Sequence, residues 1–123
     1  MQWKFSGGSP VYRQIIDQIR SAVVAGEFAP GDRIPAVREL AARAQVNPNT
    51  MQRALLELER EGLLVTDGTL GRYVTRDETV LEAIKQRAID AEIHACAARL
   101  SGLGLSMAQA AKLLLKLEEE AHG

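Results

Sequence analysis

The chain has 123 residues, with 15 Lys and Arg against 16 Asp and Glu, a formal net charge of −1. No stretch approaches the ~20 apolar residues of a membrane span, and Met1 to Phe5 lacks the apolar core of a secretory signal. A single cysteine, Cys96, excludes an internal disulfide and suits a reducing cytoplasm. The length fits one small domain with an appendage, and with aromatic residues at 4 % the core must rest on Leu, Ile, Val and Ala. Charge is unevenly spread. Residues 1–76 hold ten Lys/Arg and eight Asp/Glu, residues 77–123 five and eight. Between positions 33 and 53, Arg33, Arg38, Arg43 and Arg53 meet one acid, Glu39. Affinity for a polyanion follows the cations that reach its phosphates, so a local basic strip outweighs the global sum. The same strip also fits a solvated face that favours arginine.

In chain order, Trp3 and Phe5 alternate with polar residues, as in a short strand or arm, and Ser6-Gly7-Gly8 interrupts it. Ser9-Pro10 predicts a helix start, with a hydroxyl cap and proline in the first helical position. Ile15, Ile16, Ile19 and Val23 follow at helical spacing up to Gly26. The turn Glu27–Asp32 offers Phe28 as an anchor, and Pro35 opens a short second helix with Val37, Leu40 and Ala41 inward. Asn47 and Pro48 start a third helix, which Gly62 stops. At ~100° per residue, Met51, Ala54, Leu55 and Leu58 share one side. Asn49, Gln52, Arg53 and Leu56 share the other, with Leu56 an apolar exception expected to tuck against a neighbour. Leu63–Thr66 and Leu70–Thr75 around Asp67-Gly68 predict a β-hairpin.

From Asp77 to Leu100 the pattern is helical, with stripes of Leu81, Ile84, Ala88 and of Ile89, Ile93, Cys96, Leu100. Ser101–Gly104 makes a tight connection, and Ser106 with Gln109 has the form of a capping box. The last helix places Met107, Ala110, Leu113, Leu114 and Leu117 inward. Two such helices cannot bury both stripes alone, and a second copy of the chain is the simplest cover. The predicted architecture is mainly α with a small β-hairpin: a winged helix-turn-helix over residues 1–76, then a helical dimerisation tail over 77–123. The expected dimer contacts are Leu81, Ile84, Ile89, Ile93, Leu100, Leu113, Leu114 and Leu117.

Two short helices joined by a turn, the second exposing amides and arginine in its first turns, match a reading head for the DNA major groove. Asn and Gln pair with adenine through a donor and an acceptor together, and Arg pairs with guanine. Asn49, Gln52 and Arg53 are therefore candidate base readers. Asn47 and Thr50 are candidates for bases or phosphates, and Arg38 and Arg43 for the phosphates that set register.

The stretches Pro10-Val11-Tyr12-Arg13-Gln14-Ile15, Gly26 to Ala41, Val46 to Met51 and Ala54 to Leu63 resemble, in order and spacing, the N-terminal domain of GntR-family bacterial regulators. Asn47-Pro48-Asn49-Thr50 and the short two-helix tail resemble the YtrA-like subfamily in particular. The resemblance implies a winged-helix transcription regulator, a dimerising tail and, in that subfamily, control of transporter operons, with repression as the family-weighted expectation. It places Arg38 on the family's phosphate-contacting arginine and positions 47, 49, 50 and 52 on its DNA-contact positions. Gln52 stands where many members have arginine. The wing reads Gly68-Thr69-Leu70-Gly71 without the familiar tip arginine, and Arg72, just beyond, is a candidate replacement.

The expected partners are double-stranded DNA and a second copy of the chain. No cofactor or metal is implied, and the segment after Arg76 is too short for a separate effector domain, which leaves a small-molecule effector open. His94 and His122 lie in no catalytic pattern. Asp90 and His94 at i,i+4 permit a hydrogen bond or a weak metal pair, and Cys96 reads as a small core residue. The rival reading is a winged helix used for protein–protein contact. The absence of an acid on the third helix's outer face before Glu57 favours DNA.

Overall fold

The computed structural model describes residues 1–122 and contains five helices and one two-stranded antiparallel sheet. The helices are α1 (Val11–Val24), α2 (Val37–Ala44), α3 (Pro48–Arg60), α4 (Glu78–Gly102) and α5 (Met107–His122). Strands β1 (Leu64–Thr66) and β2 (Arg72–Val74) pair in the register Leu64 to Val74, Val65 to Tyr73 and Thr66 to Arg72. The apolar stripe of α1 is buried as the helical spacing requires, with Ile15 fully inaccessible. It meets Met51, Ala54, Leu55 and Leu58 of α3, all at 0 % exposure, together with Leu40 and Ala41 of α2. Leu63, Leu64 and Val74 bring the hairpin into the same core, and Trp3, Tyr12 and Phe28 pack at its margin.

The ends of the helices explain their lengths. In α1, α2, α3 and α4 the last turn closes with the paired six-to-one and five-to-two bonds of a Schellman motif, for example Leu63 N to Leu58 O (3.0 Å) and Gly62 N to Glu59 O (3.0 Å). The residue in the left-handed position is Gly26, Gly62 or Gly104 in three of them. In α2 it is Gln45, at φ 57°. That tight stop turns the chain within two residues into α3, the geometry a helix-turn-helix needs. Two starts differ from expectation. Pro10, not Ser9, is the N-cap of α1 and makes no side-chain bond. The Gln14 amide instead donates to the carbonyls of Ser6 and Ser9, both at 2.8 Å. Likewise α2 begins at Val37 behind an uncapped Ala36, two residues beyond Pro35.

The arm before α1 is not a strand. Gln18 bonds both the N–H and the carbonyl of Lys4 (3.0 and 2.7 Å), and Gln14 holds Ser6 in the same manner, so two glutamines replace a neighbouring strand. Gly31 and Asp32, expected in the turn, run with Arg33 and Ile34 beside β2: Ile34 N donates to Arg72 O (3.0 Å) and Val74 N to Asp32 O (2.9 Å).

The chain divides into two compact units, Met1–Lys85 and a second beginning at Gln86. The boundary falls inside α4, nine residues beyond the expected Arg76. Ile84 is 5 % exposed within the first unit's core, and Leu81 packs beside it. Both also line a groove with Val23, Val24 and Pro30. Ile84, expected at a dimer contact, is therefore part of the winged domain's own core, and Leu81, expected there too, packs at its margin. One helical face reads the same whether its cover comes from the same domain or from another chain. In the second unit Ser106 and Gln109 form the expected reciprocal cap (2.8 and 3.1 Å) and Ala110 is buried. Among the described residues no helix is long and apolar enough to cross a membrane.

Candidate nucleic-acid interface

The first turn of α3 is fixed by Asn47, whose Oδ1 accepts from Asn49 N at 2.7 Å. Pro48 follows at a position where its missing N–H costs nothing. The cap uses only the carbonyl oxygen of Asn47 and leaves its NH2 group to donate outward. Asn49 and Arg53 are exposed, and Thr50 and Gln52 are half-buried. Leu56 has no cover at 46 % exposure, so the expected tuck does not occur within the described chain.

The two flanks of this strip differ. On the hairpin side, the Arg72 Nε donates to Glu59 Oε1, Thr66 Oγ1 donates to the same oxygen (2.8 Å), and Arg72 Nη2 donates to Gln52 Oε1 (3.3 Å). Burial alone would raise the Glu59 carboxyl, but the bonds from Arg72 and Thr66 and the Arg72 charge outweigh it and hold the group below its ordinary value. Arg72 is thus a strut between β2 and α3 with its side chain 19 % exposed. The tip itself is Gly68–Gly71 and carries Leu70 at 59 % exposure, with Arg72 just behind it in β2. The strut orients Gln52, engaging its carbonyl oxygen and leaving its NH2 free to donate. Gly71 adopts φ 110°, a conformation that strains any other residue, and a Cβ there would sit 3.0 Å from Arg33 Nε, so the Arg33 side chain would have to shift slightly.

On the α1 side, the Arg53 guanidinium lies 3.7 Å from the Tyr12 ring centroid. The Arg13 Nε donates to the Tyr12 hydroxyl at 3.2 Å, which raises the Arg13 pKa. Eight residues further along both helices, Arg20 pairs with Glu61 through two bonds (2.8 and 2.5 Å), which raises the Arg20 pKa despite partial burial. The equal spacing of these two contacts means that α1 and α3 run side by side in the same direction, joined at Tyr12–Arg53 and again at Arg20–Glu61. Sequence reasoning did not single out Tyr12, Arg13 or Glu59 as site residues. Tyr12 and Arg13 were legible as a motif, but their neighbour forty residues away was not.

Arg38 projects from the first turn of α2, exposed and outside every ion pair among the described residues. Arg43 pairs with Glu39 at 2.6 Å, both side chains more than half exposed. Such a pair is worth little and yields readily to a phosphate. His94 Nδ1 lies 2.7 Å from the backbone oxygen of Asp90, a contact that does not involve the Asp90 carboxylate. Among the described residues no group of three metal-ligating side chains comes together. In the second unit Ile89, Ile93, Leu113, Leu114 and Leu117 are 38–61 % exposed and Leu100 is half-buried.

A tri-helical core, a left-handed turn into an amide-bearing third helix, and a hairpin strapped to that helix define a winged helix-turn-helix DNA-binding protein. The family model for bacterial regulatory proteins of the gntR family matches residues 11–74, and the chain belongs to that family. The HTH-type transcriptional repressor YtrA of Bacillus subtilis is 41 % identical over 68 % of this chain and 72 % of its own length. A GntR family transcriptional regulator from Listeria monocytogenes superposes with a TM-score of 0.81 at 31 % identity, covering 91 % of this chain and 98 % of that one. The DNA-binding domain of AraR, solved in complex with operator ORX1, superposes with a TM-score of 0.56 at 28 % identity over 61 % of this chain and 96 % of its own. The chain is a DNA-binding transcription regulator of the YtrA-like kind.

Proposed function

We propose that the protein is a cytoplasmic repressor that binds a pseudo-palindromic operator as a homodimer, with control of a transporter operon as the subfamily expectation. The observation that carries the reading is α3, whose exposed first turns present amide donors beside the unpaired Arg38. Asn49 and Gln52 read base edges in the major groove, Asn47 and Thr50 contact bases or sugar-phosphate, and Arg38 and Arg43 set the register on phosphates. The wing contributes through its apolar tip and not through Arg72.

Dimerisation is assigned to the second unit. Met107, Leu113, Leu114, Leu115 and Leu117 of α5 are each at least half exposed, a density of apolar surface that marks an interaction face. With Ile89, Ile93 and Leu100 of α4, this face fits a two-fold partner. Two reading heads then require inverted half-sites, with a spacing set by the tail. A small-molecule signal, where one exists, acts by changing that spacing.

Selection of duplexes from a random library at fixed salt tests this directly. An inverted repeat is expected, and Arg38→Ala should weaken binding to all duplexes and make the salt dependence shallower by about one unit in the log–log slope. Enrichment of a single half-site by a monomeric protein would remove the dimer from the reading.

A further inference from the structure

Arg53 was expected to read a base, and its placement says otherwise. On α3, at ~100° per residue, Asn49 and Leu56 define the outward midline. Gln52 and Glu59 lie toward the hairpin, and Arg53 and Glu57 lie toward α1. The Arg53 side chain then leans further that way, its guanidinium carbon 3.7 Å from the Tyr12 ring centroid. A helix with its side chains is ~10–12 Å across, about the ~12 Å width of the major groove. A long cationic side chain drawn off that midline toward α1 is therefore placed to reach the wall of the groove, which is phosphate, whereas the shorter Gln52 stays within reach of base edges.

The chemistry of the contact supports a phosphate. The cation–π contact uses the charge of the guanidinium and not its N–H groups, which leaves the Arg53 donor fork to match an anionic oxygen pair. Arg13 reaches the other edge of the same ring, its guanidinium carbon 5.8 Å from the centroid and its Nε on the hydroxyl. The acids nearby are already engaged, Asp17 by Arg20 (3.2 Å) and Glu57 by Arg60 (2.8 Å). Among the described residues neither Arg13 nor Arg53 belongs to an ion pair.

We propose that Tyr12, Arg13 and Arg53 form a clamp for one DNA backbone phosphate on the α1 wall of the major groove. Arg13 and Arg53 bind the phosphate, and Tyr12 is the positioning residue that pre-orders both. The clamp rests on the reading of α3 as the groove-entering helix. It shifts the base-reading task onto Asn49 and Gln52.

The test compares wild type, Arg38→Ala, Arg53→Gln, Tyr12→Leu, Tyr12→Phe and the Arg53→Gln/Tyr12→Leu double variant. Each binds the selected operator and an unrelated duplex over a salt series, with thermal melting to confirm folding. Arg53→Gln should weaken both duplexes by the same factor, on the order of tenfold. It should make the salt slope shallower by about one and return the wild-type consensus when selection is repeated. Tyr12→Leu should weaken binding about two- to fivefold and add less than that to Arg53→Gln, whereas Tyr12→Phe, which keeps the ring, should recover most of the loss. In the operator, a single neutral methylphosphonate should weaken wild type at one flank position and weaken Arg53→Gln less there, because Arg13 alone then still contacts that phosphate. A changed base preference in Arg53→Gln, or an unchanged salt slope, overturns the clamp and restores Arg53 as a base reader. Weakening by Arg38→Ala with none by Arg53→Gln overturns the clamp alone. Failure of wild type to enrich any duplex overturns the DNA reading and the clamp with it.

Discussion

Replacing Ile84 by Ala separates a core role from a dimer role. Its side chain is 5 % exposed in the core of the first unit, in a cluster that includes Val23. The substitution removes the three outer carbons, worth roughly 0.8 kcal/mol each, and leaves a void whose lining loses contacts as well. The expected cost is about 3 kcal/mol. A unit of 85 residues has a total stability of roughly 4–13 kcal/mol, so the loss is a large part of it. In a domain this size each kcal/mol moves the midpoint by ~4–8 °C, which predicts a fall of about 12–24 °C. Thermal unfolding followed by circular dichroism at two protein concentrations checks it, with Ile93→Ala, at 60 % exposure, as the comparison. The fall for Ile84→Ala should be the same at both concentrations. A fall that vanishes on dilution, or an unchanged midpoint with weakened self-association, would refute the core assignment and return Ile84 to the dimer face.

Gln45→Gly should stabilise the protein by about 0.5–1 kcal/mol in denaturant titration, because a side chain at φ 57° costs ~1–2 kcal/mol that glycine avoids, partly offset by glycine's freer unfolded state. Asn47→Ala should cost about 1 kcal/mol through loss of the cap and, at temperatures where the domain remains folded, also weaken operator binding; Asn47→Asp should keep the cap and lose the outward donor. Glu59 has a folded-state pKa below its ordinary value of 4.5. Its contribution is therefore complete above the unfolded value and is lost as pH falls through the folded one. Glu59→Gln should consequently be less stable than wild type near neutrality, and the gap should close below about pH 4.5, as midpoint measurements across pH 3–7 (a range of about 4 units) would show.

Much of the fold was legible because its signals are local. Asn47-Pro48 marked the start of α3, Gly26 and Gly62 marked two stops, Asp67-Gly68 marked the hairpin, and the stripes Ile15/Ile16/Ile19 and Met51/Ala54/Leu55/Leu58 marked the buried faces. Each depends on residues within one or two helical turns, so composition and spacing suffice. The exposed amide face of α3 followed from the same wheel, since an α-helix with one apolar side must show the other.

What needed the tertiary structure were the choices between partners far apart in the chain. Leu81 and Ile84 read as an apolar stripe either way, and only packing against the first unit's core assigned them. Arg72 reads from the sequence as an unengaged cation beside the wing, and only the fold brings Glu59 and Gln52 to it. Arg53 pointed outward on the wheel, yet Tyr12 draws it toward α1. A long cationic side chain samples many rotamers of nearly equal energy, and a neighbour forty residues away in sequence decides among them. The local pattern therefore determined the elements and their buried faces. The long-range contacts decided which arginines remain free for DNA and where they aim.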